Sequence, residues 1–228
     1  MKNVELNIED LKAVLFDMDG VLVDSMNYHL KSWLELLGIY NINVSEEFIY
    51  EHEGAMEPEI IMKLFKKYGY SIEIKDINNI YIKQNFIFKE KYLPSVTLYE
   101  GSLDLLKQLK EKGLLLGMVT SSRRNLINNI WKEEDLSFFS TIITADDTER
   151  FKPFPDPYLK ALKEIKQEAK NCLVIENAPA GIKSAISAGI MCFAISSTLP
   201  RTSLLGAKQI FQDIKGLSNY FSIIFQQQ

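Results

Sequence analysis

Carboxylates at the end of an apolar run are the first feature of this chain with chemical consequences. In AVLFDMDGVLVDS, residues 13–25, four apolar residues lead into Asp17, and Asp19, Gly20 and Asp24 follow. If the run is extended, Asp17 and Asp19 project to the same side, which a helix would not achieve. Gly20 then lets the chain turn sharply and approach a ligand. Other apolar runs end in groups of the same kind: Thr120-Ser121-Ser122, then Lys152 within DDTERFKPFPDP, then Glu176-Asn177. Carboxylates, hydroxyls and a lysine at neighbouring strand ends can bind a divalent cation and a phosphoryl group together. One Asp at a strand end is ordinary turn chemistry; the whole set is not.

Positioning such a set requires several strands with their carboxyl ends on one side. Five short apolar runs read as buried strands: AVLFD (13–17), LLLGMVT (114–120), TIIT (141–144), CLVIE (172–176) and MCFAI (191–195). Between most of them lie helical patterns. Leu103, Leu106 and Leu109 share a face, as do Leu159, Leu162 and Ile165, and Ile182, Ala185 and Ile186. Continuous apolar strands alternating with amphipathic helices imply a parallel sheet covered on both faces. In such sheets ligands bind beyond the carboxyl ends of the strands. The PDP triplet predicts Asp156 as a helix N-cap with Pro157 at the first helical position.

Residues 25–94 break that rhythm. Met26, Leu30, Trp33, Leu34 and Leu37 form one helical stripe, and Ile60, Ile61, Leu64, Phe65 and Tyr68 another. A third helical segment, about 76–91, includes Ile77, Ile80 and Tyr81. The expected organisation is a three-layer Rossmann-like α/β core from residues 1–24 and 95–228, with 25–94 inserted as an all-helical domain.

Bulk properties narrow the function classes. The chain has 228 residues, 46% hydrophobic and 25% charged, ordinary for a globular protein. Its net charge of −4 disfavours a general affinity for nucleic acid or acidic membranes. The N-terminus MKNVELNIEDLK lacks an apolar signal region, and no apolar run approaches the length of a membrane helix. A cytoplasmic protein, monomeric or homodimeric, is expected. Cys172 and Cys192 sit in apolar runs and read as small core residues.

The stretch FDMDGVLVDS resembles the first motif of the haloacid dehalogenase superfamily. GMVTSS, FKPFPDPY and VIENAPAGIKSAISAG resemble its second, third and fourth motifs, in order, and the likeness covers nearly the whole chain. It is nearest the branch that includes phosphoglycolate phosphatases and β-phosphoglucomutase, where a helical cap follows the first motif.

The resemblance implies an enzyme that hydrolyses a small phosphorylated metabolite with Mg²⁺ through an aspartyl-phosphate. A sugar phosphomutase or a non-catalytic phospho-ligand binding protein are the alternatives. It implies Asp17 as nucleophile and metal ligand, and Asp19 as general acid/base with its main-chain carbonyl on the metal. Asp19 favours phosphoryl chemistry, because a halide leaving group needs no proton. Thr120 would bind the phosphoryl oxygens, with Ser121 and Ser122 beside it, and Lys152 would offset the negative charge. Arg123 and Arg124 read as a solvated face. Glu176 and Asn177 occupy the places of the metal-binding acidic pair. Asn177 departs from the commonest form: either it ligates as a neutral group, or Glu176 carries the metal alone or through water. His29 and Glu57 are candidates for substrate specificity. In β-phosphoglucomutase an arginine near the position of Glu57 grips a second phosphate, which a glutamate would repel.

Overall fold

The computed structural model of the chain describes residues 10–52 and 58–226. It begins with β1, Ala13–Phe16, entirely buried. The chain leaves through β2 (Val23–Asp24) and enters four helices: α1 (Met26–Ile39), α2 (Glu46–His52), α3 (Pro58–Lys67) and α4 (Ile74–Ile87). A π-helical turn at Phe88–Tyr92 leads to β3 (Thr97–Leu98), which pairs antiparallel with β2. Departure and return thus share one short ribbon.

Alternation then sets in: α5 (Ser102–Glu111), β4 (Leu115–Val119), α6 (Arg124–Ile130), α7 (Glu133–Leu136), β5 (Thr141–Ile143), α8 (Asp156–Ile165), β6 (Cys172–Glu176), α9 (Pro179–Ser187), β7 (Met191–Ile195), β8 (Gln209–Phe211) and α10 (Ile214–Gln226). Six strands form one parallel sheet in the order β5-β4-β1-β6-β7-β8. The chain builds outward from β1 on one side and then on the other. The end of β1 is therefore a topological switch point, where a crevice opens.

Strand periodicity divides the core. Val14 and Phe16 face a cluster that includes Leu105, Leu109, Leu217 and Phe221 of α5 and α10. Ala13 and Leu15 face the other, with Tyr158, Ala161, Ile182 and Ala185 of α8 and α9. Both faces are covered, which is why β1 and β6 read as unbroken apolar runs. The helical segment has its own cluster around Leu30, Trp33, Leu36, Ile49, Phe65 and Ile80. No helix among the described residues is long and apolar enough to cross a membrane.

Several expectations change in detail. The sheet gains an edge strand, β8, invisible in the sequence because only one of its three residues is fully buried. The helix after PFPDP begins one residue early, with Pro155 at the cap position. The Asp156 carboxylate instead pairs with Arg150 at 2.9 Å, and an acid in the first turn is favourable there. Leu159 and Ile186, placed on buried stripes by spacing, are 48% and 40% exposed. In α8 the buried stripe runs through Tyr158, Ala161, Leu162 and Ile165. Cys172 and Cys192 are free and buried.

Candidate active site

Sheet pairing continues one residue past β1, because Asp17 N–H donates to Ile175 C=O (2.9 Å). That bond fixes where the Asp17 side chain begins. Lys152, in the loop between β5 and α8, reaches the same point and is 4% exposed. Its ammonium donates to Asp17 Oδ1 (2.7 Å), Glu176 Oε1 (2.6 Å) and Val119 C=O (2.9 Å). All three protons of the ammonium are used, as a buried charge requires.

Glu176 is fully buried, with both oxygens engaged. Oε1 also accepts from the Tyr158 hydroxyl (2.6 Å), and Oε2 from the Asn177 N–H (3.2 Å). Space for this carboxylate exists because residue 181 is glycine: a Cβ there would lie 1.9 Å from Oε1. Burial pushes the Asp17 carboxyl up to about 7, against the lowering charge of Lys152, while Glu176 and Asp19 add to the rise. Burial works against the Lys152 ammonium, yet the Asp17 and Glu176 carboxylates hold its pKa above the usual lysine range. Tyr158 is likewise raised, by burial and by Glu176.

Asp19 has different company. Ser25 donates to Oδ1 (2.6 Å) and Ser122 to Oδ2 (2.7 Å), with Thr120 Oγ1 at 3.4 Å from Oδ2. His29 Nε2 stands 3.4 Å from Oδ1 and its ring stacks on Phe88, centroids 4.0 Å apart. Burial would raise the Asp19 carboxyl, but His29, Ser25 and Ser122 hold it below the usual range. Thr120 is buried and receives the Ser122 N–H (3.0 Å).

Asn177 lies behind this turn. It is 1% exposed, and neither its amide oxygen nor its nitrogen has a hydrogen-bond partner in the protein. Gly20, at φ +77°, makes room for it: a Cβ there would sit 2.1 Å from Asn177 Nδ2. A buried amide without partners is costly, so these atoms are suited to an absent ligand. The amide oxygen of Asn177, like a carboxylate oxygen of Asp17, is a donor type that Mg²⁺ accepts. The residues therefore fit such an ion, with Asp17 and Asn177 better disposed to it than Glu176, whose oxygens are already committed.

The structure thus gathers Asp17, Asp19, Thr120, Lys152, Glu176 and Asn177 at one sheet end, with His29 on the helical side. Ser121 is partly buried in the same loop, where Ser122 donates its hydroxyl to Asp19. Glu57 and its neighbour Met56 lie outside the described residues. Arg123 and Arg124 are exposed and pair with Asp146 (3.0 Å) and Asp147 (2.8 Å). Sequence reasoning missed Ser25, Tyr158 and Gly181. Tyr158 follows Lys152 by six residues, on the first turn of α8.

Comparison with known proteins agrees with this geometry. Residues 14–195 match the haloacid dehalogenase-like hydrolase family. The validoxylamine A 7'-phosphate phosphatase of Streptomyces hygroscopicus subsp. limoneus is 27% identical over 205 residues, 89% of this chain and 94% of its own. The pyrophosphatase PpaX of Oceanobacillus iheyensis is 27% identical over 212 residues, 91% and 95% of the two chains. The crystal structure of a β-phosphoglucomutase from Clostridium difficile superposes with a TM-score of 0.79, covering 95% of this chain and 98% of that one. At 22% identity that last likeness speaks for the fold alone. With the four motifs meeting at one sheet end and a family match over most of its length, the chain belongs to the haloacid dehalogenase-like hydrolases.

Proposed function

We propose that this protein is a Mg²⁺-dependent phosphatase of small phosphomonoesters that works through an aspartyl-phosphate on Asp17. The observation that carries this reading is the division of labour within one turn. Asp17 is bonded to a buried ammonium, and Asp19, two residues on, is held by hydroxyls and an imidazole. One carboxylate is placed to attack and the other to handle protons.

In the first half, an Asp17 oxygen would attack phosphorus in line with the leaving alcohol, whose oxygen takes a proton from Asp19. In the second half, Asp19 as carboxylate would take a proton from water, which attacks the acyl phosphate and restores Asp17. The hydrogen bonds seen on Asp19 favour its carboxylate form, the one the second half needs. Lys152 would hold the attacking carboxylate and offset charge on the phosphoryl oxygens, and Thr120 would donate to those oxygens. Asp17 and Asn177 would hold Mg²⁺, which would supply charge neutralisation at the phosphoryl group. Residues 25–94 would act as a cap over the core formed by 1–24 and 95–228, excluding bulk water and selecting substrate. The phosphatase names of the two relatives support the reaction class without fixing the substrate.

The test is hydrolysis of p-nitrophenyl phosphate with and without Mg²⁺, followed by a panel of phosphorylated metabolites. Mg²⁺-dependent phosphate release is expected, and Asp17→Asn should abolish it. Isomerised sugar phosphate without net phosphate release would instead make the protein a mutase. A folded protein silent on the whole panel would sink the enzymatic reading.

A further inference from the structure

The phosphatase reading leaves open how the site acquires its cation. Among the described residues, no three His, Cys, Asp or Glu side chains converge as a ready metal site. The reasons lie in the hydrogen bonds. Glu176 spends both oxygens on Lys152, Tyr158 and the Asn177 N–H. Asp19 spends both carboxylate oxygens on Ser25, Ser122, Thr120 and His29. Asp17 gives Oδ1 to Lys152. What the side chains offer a cation is the other Asp17 oxygen and the unpartnered, neutral amide of Asn177. Lys152, within 2.7 Å of Asp17, further subtracts from the attraction. Even with the Asp19 main-chain carbonyl, one carboxylate oxygen and one amide oxygen bring little charge of their own to a strongly hydrated divalent ion.

We propose, on the basis of that phosphatase reading, that Asn177 makes cation binding conditional on phosphate: the ion and a phosphoryl group enter as partners, each tightening the other. A phosphoryl group brings the negative charge that an aspartate at 177 would otherwise have supplied. The free protein is thereby left with little affinity for the ion, and the buried pocket avoids another carboxylate beside Asp17 and Glu176. Coupling of this kind is reciprocal, so phosphate must gain from the cation the same factor that the cation gains from phosphate.

Mn²⁺ is the probe, because its free ion is counted directly by electron paramagnetic resonance. The purified protein is titrated with Mn²⁺ with and without inorganic phosphate, and a protein-free titration corrects for ion pairing in solution. In the wild type, saturating phosphate should tighten Mn²⁺ by about 10-fold or more, within the usual range of coupling between sites. In Asn177→Asp, Mn²⁺ alone should bind about 10-fold tighter than to the wild type, and phosphate should change it by less than about 3-fold. Thermal melts give a second reading: Mn²⁺ alone should raise the melting temperature of Asn177→Asp more than that of the wild type. The wild-type titration decides the matter even if the variant folds poorly. Tight Mn²⁺ binding to the wild type that ignores phosphate overturns the proposal, as does a folded Asn177→Asp with unchanged affinity. If either result accompanies normal Mg²⁺-dependent hydrolysis, only the coupling falls. No Mn²⁺ binding under any condition, together with no hydrolysis, removes the phosphatase reading as well.

Discussion

The two sides of the active-site turn are built on different principles. On the sheet side, Asp17 meets Lys152, which also holds Glu176, and Glu176 meets Tyr158, all buried and far apart in sequence. On the helical side, Asp19 meets Ser25 just ahead of α1 and His29 on its first turns, with Ser122 from the loop after β4. The sheet side uses buried charge, where an ion pair is strong but costly to break. The helical side uses hydroxyls and a stacked imidazole, which rearrange cheaply. Asp17 is thus held by the sheet and the loop after β5, and Asp19 by the entry to α1 and the loop after β4.

Breaking the sheet side should have the largest effect. Lys152→Met leaves Asp17 and Glu176 facing one another without a cation. Turnover should fall by about 10²–10³, the scale for removing one preorganised electrostatic group. Stability of the metal-free protein should fall by about 3–5 kcal/mol, as for a buried pair with one partner removed. Steady-state kinetics and urea unfolding check the two. Near-normal turnover would show that Lys152 is a structural counter-ion only.

A smaller loss is expected on the helical side. His29→Asn removes the contact to Asp19 and the stack on Phe88 without emptying a buried charge site. A fall in kcat/KM of about 10-fold, below the full value of a positioned acid/base, with little change in melting temperature, would fit an adjustable side. Loss comparable to Lys152→Met would erase the contrast.

Tyr158→Phe probes the sheet side more gently. Glu176 keeps Lys152 but loses one donor in a buried site, at about 1–3 kcal/mol of stability. Turnover should fall only severalfold, because Tyr158 acts through Glu176 and Lys152. A stability loss larger than the activity loss is the expected signature, read from chemical denaturation alongside kinetics.

Legibility from sequence follows the same division. Asp17, Thr120 and Glu176 could be found because each terminates a run too apolar to be anything but buried strand, and sheet topology forces such ends together. Lys152 needed its motif, since the rest of its loop gives no sign that a lysine there is buried. Ser25 and Tyr158 were illegible for a different reason: their roles come from tertiary approach. A serine before a helix reads as a cap, yet Ser25 makes no such cap and donates to Asp19 instead. Leu159 misled because helical spacing tells which residues share a face without telling how wide the buried face is. β8 and the ribbon of β2 with β3 escaped notice because three- and two-residue strands carry almost no periodicity.

The last prediction separates burial from charge count as the source of strength on the sheet side. Asp147, in the loop after β5, is likewise held by hydrogen bonds and an ion pair. Thr144 donates to its Oδ2 through both N–H (2.8 Å) and hydroxyl (2.6 Å), and Arg124 pairs with it at 2.8 Å. Yet a quarter of its side chain is exposed. Burial would raise its carboxyl, but Thr144 and Arg124 hold it below the usual range. A carboxyl whose pKa is lower in the folded state adds stability above its unfolded value, and that contribution disappears as pH falls through the folded value. Asp147→Asn should therefore lower the melting temperature at pH 7 by about 2–4 °C, the scale of roughly 1 kcal/mol in a chain of this size, and the difference from wild type should close as pH drops below about 4. Turnover should be unchanged. If Asp147→Asn cost as much activity as Lys152→Met, the number of ionic contacts near the sheet end would matter more than their burial.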